Sequence, residues 1–408
     1  MDTLFLTLGA PFYRDEGRLY VEAQTVSGLK AWQQDFDRVI ACSVCKTGQP
    51  PAGWIEVSGE GIDPPTFELI ELPDGYHLPT YLRTRSAVQK TLLDALRRAD
   101  FRLFAIGGWI GDWGVVGARL AHAHKIPHGI WFDRVESQVF AAAHDGSVKG
   151  RARAGLKSRI TARTEARLLR NADLALLHGQ TVYDRFAGLT RNAQIVEDVH
   201  LELCDRIPED QLADKLAGAG AGPIRICYVG RADQMKGGLL WIDALARLAE
   251  AGVDFVAEWA GDGPQLEEMR ALASRLGLSE RIRFHGFVTD RATVLGILRR
   301  AHVLLFCHMT DESPRILIET LFSATPLVGF RDSFAQRLVA EQGAGILVER
   351  GDVAGLAEAL SGLNANRQQL RELIEKAGQS GLHLTRSQVF ADRAKIIRDN
   401  LRHDREAA

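Results

Sequence analysis

Three observations predict an α/β protein built from two Rossmann-like domains. At 408 residues the chain exceeds what one ordinary hydrophobic core supports. Short apolar runs alternate with helical periodicity along nearly all of it, the pattern of parallel βαβ units in doubly wound sheets. A composition break, KLAGAGAGP at 215–223, separates two such series and has the Gly/Ala content of a flexible joint. The expected division is a first domain over 1–205, a hinge linker over 206–223 and a second domain over 224–385.

In the first half, strands are expected at 3–8, 38–42, 101–106, 126–132, 174–177 and 193–196, with 43–90 the least regular part. The turn at 9–17 reads as a strand-to-helix loop carrying Arg14, Asp15 and Glu16. The second such loop, GGWIGDWG at 107–114, has two readings. Its glycines let a ligand approach the backbone while Trp109 and Trp113 form a stacking wall for a sugar, or the loop is a tight turn with both tryptophans packed beneath it.

Cys42 and Cys45 form a CxxC without a second pair or a histidine at ligand spacing, so they read as strand-end cysteines. His122, His124 and His128 show no convergent ligand spacing either, and no metal site is expected. The stretch 149–170, KGRARAGLKSRITARTEARLLR, is a strongly basic helix with Leu156, Ile160, Leu168 and Leu169 as its apolar positions. It is either a solvated face or a surface for anionic lipid or an acidic acceptor.

In the second half, strands are expected at 224–229, 254–260, 282–285, 303–307, 326–330 and 345–348, with cleaner periodicity than in the first. Four loops follow them. GRADQMKG at 230–237 places Arg231 and Lys236 at a strand-to-helix turn, where two fixed cations suit a diphosphate whose charge grows as it departs. AGDGP at 260–264 permits close backbone approach, and HGFV at 285–288 offers an aromatic and backbone groups to a flat base. The fourth loop precedes a helix in which Ser313 is the expected N-cap and Pro314 the first residue, leaving free amides that favour an anion. Asp311 and Glu319 flank that turn with seven residues between them.

Bulk composition excludes several classes. A hydrophobic fraction of 46% with 25% charged residues is that of a soluble globular protein, and a net charge of -2 argues against nucleic acid as a partner. Apolar runs stop well short of the ~20 residues a membrane span needs, and residues 3–8 read as a strand where a leader would lie. Five cysteines spread over a long chain fit a reducing compartment, so a cytoplasmic location is expected, with peripheral contact to the inner face of the membrane through 149–170.

The order and spacing of these loops resemble the nucleotide-sugar domain of the family-four type retaining glycosyltransferases, the glycosyl transferases group 1, over residues 224–363. The resemblance rests on Gly230, Arg231 and Lys236 of a G-R-x-x-x-x-K-G loop, Gly261 and Gly263 of a G-x-G-P turn, Gly286 with Phe287, and the two acids. It implies the GT-B architecture, two Rossmann-like domains facing a central cleft, with a terminal helix in 386–408 packing back on the first. By that resemblance Arg231 and Lys236 hold a diphosphate, Glu319 takes ribose hydroxyls, and the base sits by Phe287 and Val288. The Asp311 loop, with Glu312, Ser313, Pro314 and Arg315, then holds the donor sugar. Transfer with retention would follow a same-face, oxocarbenium-like route in which the leaving phosphate helps take the acceptor's proton. No cofactor or metal is required.

The chain departs from the family in several places. Asp311 stands where glutamate is usual, and Glu312, Ser313 and Pro314 replace a Gly-x-Gly-like run. In the first domain Asp133 or Arg134 occupies the place of a usual histidine, and Glu197 to His200 replaces an asparagine-glycine turn. Arg14, Trp109, Asp133 and Arg134 are the acceptor-side candidates. The leading expectation is a retaining glycosyltransferase acting on a glycan or lipid-linked acceptor in bacterial surface polysaccharide assembly. The alternatives are a nucleotide-sugar epimerase of the same architecture and a donor-binding subunit without catalysis.

Overall fold

A computed structural model describes residues 2–62, 64–107, 111–143, 147–310, 313–380 and 383–401. The chain divides into two compact units, 1–197 with 387–408, and 198–386.

The first unit is built on strands β1 (Thr3–Thr7), β2 (Phe12–Asp15), β3 (Arg18–Glu22), β4 (Arg38–Thr47), β5 (Trp54–Glu56), β6 (Phe67–Leu72), β7 (Phe101–Ala105), β8 (Gly129–Phe132), β9 (Leu174–His178) and β10 (Ala193–Val196). Its sheet runs β10-β9-β8-β7-β1-β4, after which β6 pairs with the first part of β4 and β2 with its end. The parallel strands β1, β7, β8 and β9 are almost continuously apolar, as strands covered by helices on both faces must be. The terminal helix, Arg386–Leu401, belongs to this unit beyond its first residue and sets Phe390 against Trp32, ring centroids 4.9 Å apart.

Two sequence expectations change here. Residues 9–17 are no strand-to-helix loop: β2 and β3 form an antiparallel hairpin whose two-residue turn, Glu16 and Gly17, has positive φ at both positions. Such turns match the twist of paired strands, and Glu-Gly with short polar alternation around it was the available signal. The expected hinge also disappears. Helix Glu209–Ala219 occupies most of 206–223 and buries Lys215, whose ammonium donates to Ser323 O and to Thr325 Oγ1. Alanine favours helix as strongly as glycine opposes it, and an acidic first turn, Glu209 and Asp210, starts this one.

The second unit holds β11 (Ile224–Val229), β12 (Phe255–Ala260), β13 (Ile282–Gly286), β14 (Val303–Phe306), β15 (Leu327–Phe330) and β16 (Gly345–Val348). All pair in parallel, in the order β13-β12-β11-β14-β15-β16. Numbered within the unit that order is 3-2-1-4-5-6, so the chain reverses its winding between β11 and β14. Ligands of such sheets bind outside the carboxyl ends of the strands at that switch point. A stack of Trp241, Trp259 and Tyr228 fills the core beneath β11 and β12.

Candidate functional site

The loops leaving β11 and β14 lie at the second unit's switch point and are joined by backbone. Met309 N donates to Met235 O at 2.8 Å, and a Cβ placed on Gly237 would stand 2.1 Å from Cys307 O. Gly237 adopts φ 67, so both its space and its backbone admit glycine alone. The β12 loop interlocks with the β11 loop in the same way. Gly230 N donates to Ala260 O and Ala232 N to Asp262 O, while a Cβ on Gly261 would fall 1.9 Å from Gly230 O. Gly261 N in turn donates to Gly286 O at the end of β13. The described parts of the four expected loops are thus one connected surface.

On that surface Asp233 accepts from Lys236 N and so caps the short 3-10 turn Gln234–Lys236. This fixes the backbone from which Lys236 rises. The Arg231 guanidinium is 74% exposed and stands 3.7 Å from Asp233 Oδ2, a spacing that leaves its other donors to solvent. Phe287 is 76% exposed and projects beyond β13, with Val288 half-buried after it. An aromatic of that exposure gains by stacking on a flat ligand.

Beneath the cationic loop lies a pair that sequence reasoning missed. Tyr228 Oη is 2.8 Å from His308 Nε2, both residues are buried, and His308 Nδ1 has no partner among the described residues. Burial, reinforced by the charge of Lys236, pushes the His308 pKa down to about 3. A neutral histidine therefore supports the loop without adding charge to it. No sequence signal marks this contact, because its partners are 80 positions apart.

Glu319 sits on helix Arg315–Phe322 and is half-buried. Burial raises its pKa, the charges of Arg291, Arg315 and His200 pull it back, and Asp205 raises it. These side chains are themselves tethered, Arg315 to Asp198 at 3.6 Å, His200 to Asp198 at 3.5 Å and Arg291 to Asp205 at 3.1 Å. Residues 198–205 therefore belong to this site, a long-range closure that spacing along the chain conceals. The helix begins one residue later than expected: Pro314 occupies the N-cap position, and Ser313 Oγ is buried without a partner among the described residues. Pro314 is extended at ψ 121, which prevents the serine before it from serving as the cap. Asp311 and Glu312 lie outside the described residues.

In the first unit a cavity of about 550 Å³ opens at the β1/β7 switch point. Asp133 and Arg134 both line it, with Lys46, Tyr76, Asp112 and Glu136. Arg134 Nε donates to the buried Glu136 at 2.5 Å, and Asp112 caps helix Trp113–Ala123. Arg14 does not line this cavity, because on β2 it is committed to Glu71 at 2.8 Å and to Gly17 O. Trp113 is buried, donating from Nε1 to Pro73 O at 2.7 Å, which fits the tight-turn reading for this residue and not the stacking wall. Trp109 lies outside the described residues.

The family model described as "Glycosyl transferases group 1" matches residues 213–380. Those residues form a group 1 glycosyltransferase domain. The chain is 28% identical over 251 residues to a 2-deoxystreptamine N-acetyl-D-glucosaminyltransferase of Streptomyces fradiae, covering 60% of the chain and 55% of the relative. It is 27% identical over 274 residues to a GDP-mannose-dependent phosphatidylinositol dimannoside mannosyltransferase of Mycobacterium tuberculosis, covering 66% of each. The match thus spans about half the length of the first of these relatives. Among solved structures, Anabaena Alr3699/HepE in complex with UDP superposes with a TM-score of 0.67 at 16% identity, over 98% of this chain and all of that one. The chain has the GT-B fold.

Proposed function

We propose that the protein is a retaining glycosyltransferase that moves a sugar from a nucleoside diphosphate sugar to a glycan or lipid-linked acceptor in bacterial surface polysaccharide assembly. The observation that carries this reading is the interlocked loop surface at the β11/β14 switch point, which holds Arg231 and Lys236 on one loop and leads to Glu319 on the next. Arg231 and Lys236 bind the diphosphate and neutralise the charge that develops as the glycosidic bond to phosphate breaks. The amides that open helix Arg315–Phe322 face the same anion. Glu319 accepts from the ribose hydroxyls, and Phe287 with Val288 receives the base. Asp311, Glu312, Ser313, Pro314 and Arg315 surround the donor sugar, and the leaving phosphate takes the acceptor's proton, so the chemistry needs no metal. Asp133 and Arg134 contribute the acceptor side from the cavity of the first unit. The names of the relatives, glycosyl transfer to an aminocyclitol and to a phosphatidylinositol mannoside, and the UDP of the Anabaena protein support the reaction class.

The test is direct. A panel of nucleotide sugars is screened by thermal shift, and the stabilising donor is incubated with lipid-linked acceptors, with product read by mass and anomeric configuration by proton NMR. Acceptor-dependent product with the donor's anomeric configuration is expected. Donor conversion without acceptor would favour an epimerase, and donor binding without product under any acceptor a non-catalytic subunit.

Helix Val148–Asn171 supports a peripheral contact with anionic membrane. Its exposed face carries Arg153, Leu156, Arg159, Ile160, Arg163 and Arg167, and its one acid, Glu165, is buried against Ser137 N. Retention on anionic vesicles should weaken as salt rises, and absence of retention at low salt would make this a solvated face.

A further inference from the structure

A second surface of the first unit presents an exposed apolar corner. Helix Leu78–Arg98 begins with its apolar residues turned outward: Leu78 is 53% exposed and Leu82, one turn on, 65%, with Tyr76 just before them at 56%. Fraying does not explain the exposure, because the inner side of this tip is pinned. Pro73 O accepts from the Trp113 indole, the Tyr81 ring lies 5.4 Å from that of Trp113, and a Cβ on Gly75 would stand 2.4 Å from Gly111 O. The chain thus has a pinned corner whose outer apolar side chains are left exposed by the described residues of their own unit.

The charge around the corner selects the occupant. Between Asp74 and Asp94 there is no acid, and the exposed Arg83, Arg85 and Lys90 follow the leucines. Two adjacent leucines, an amphipathic tyrosine and a run of cations are the composition of a segment that lies in the head-group region of an anionic bilayer. A protein partner would more often offer the acids that pair with such a run inside a smaller apolar footprint. Tyr76 also lines the cavity that receives Asp133 and Arg134, so the corner stands at that cavity's mouth.

We propose that Tyr76, Leu78 and Leu82 form a wedge that inserts into an anionic lipid surface and brings the cavity mouth to the bilayer, so that an acceptor head group enters while its lipid anchor stays in the membrane. The lipid contact stands on the geometry alone. The delivery of an acceptor rests on the glycosyltransferase reading.

The experiment uses the full chain with vesicles of phosphatidylcholine containing about a third phosphatidylglycerol, and with phosphatidylcholine alone. Sedimentation of wild type is compared with Leu78→Ser plus Leu82→Ser and, separately, with Arg83→Ser plus Arg85→Ser. Both pairs are exposed, so both variants should melt like wild type. The leucine pair should lower partitioning on the anionic vesicles by roughly tenfold or more. The arginine pair should lower it on anionic vesicles and leave the weak binding to phosphatidylcholine unchanged. Unaltered partitioning of the leucine variant overturns the wedge. So does a wild-type dimer that the leucine substitutions dissociate while vesicle binding persists, since the corner is then an interface between copies. Thermal shift by uridine diphosphate, measured on the same proteins, separates the two claims: its absence in wild type counts against the donor reading and leaves the sedimentation result standing.

Discussion

Replacing Arg231 and Lys236 together by alanine will lower nucleotide-sugar turnover by roughly 10²–10⁴-fold, on the scale of two lost charge-assisted hydrogen bonds to a phosphate, about 1.5–3 kcal/mol each. The loss should appear in kcat as well as in donor affinity, because negative charge on the diphosphate grows toward the transition state. Folding should be almost untouched. The Arg231 side chain is three-quarters exposed, and the position of Lys236 is set by its backbone bonds to Asp233, which alanine retains. A melting temperature within a few degrees of wild type is the control. Full activity and donor affinity in the double variant would remove the diphosphate assignment.

The second large effect belongs to Glu319. Its carboxylate is raised in pKa chiefly by burial, so ionising it in the folded state costs stability that is lost as pH climbs from the ordinary glutamate value of 4.5 through the raised one. At neutral pH Glu319→Gln should therefore leave the protein as stable as wild type or more so. The same change should weaken donor binding by about tenfold, and Glu319→Ala by about a hundredfold, as a pair of ribose hydroxyls loses a charged acceptor. The loss should fall on KM for the donor more than on kcat, because the ribose lies away from the reacting bond. A variant that melts early with an unchanged KM would make Glu319 a structural acid.

Sequence alone carried the second unit further than the first. Its inner strands β14 and β15 are buried throughout and read as apolar runs, and the expected bounds 224–229 and 345–348 match β11 and β16 to the residue. The loops of the second unit are also legible, because each glycine that must accept a positive φ or a close backbone is fixed in sequence beside its strand. What could not be read depends on closures distant in sequence. His308 under Tyr228, and Arg291 and His200 around Glu319, are brought together by sheet order. In the first unit the β2–β3 hairpin interrupted the expected βα alternation and carried Arg14 to Glu71, away from the cavity. The supposed hinge failed for a different reason. The acidic helix start at Glu209 and the buried spacing of Lys215 and Ala219 outweigh the glycine content of this stretch.

The most direct measurement is a crystal structure with uridine diphosphate bound. The diphosphate should lie within hydrogen-bond distance of Arg231, Lys236 and the first amides of helix Arg315–Phe322, with the ribose hydroxyls on Glu319 and the base against Phe287. A nucleotide found in the cavity of the first unit, or bound to the second with its ribose away from Glu319, would contradict the account.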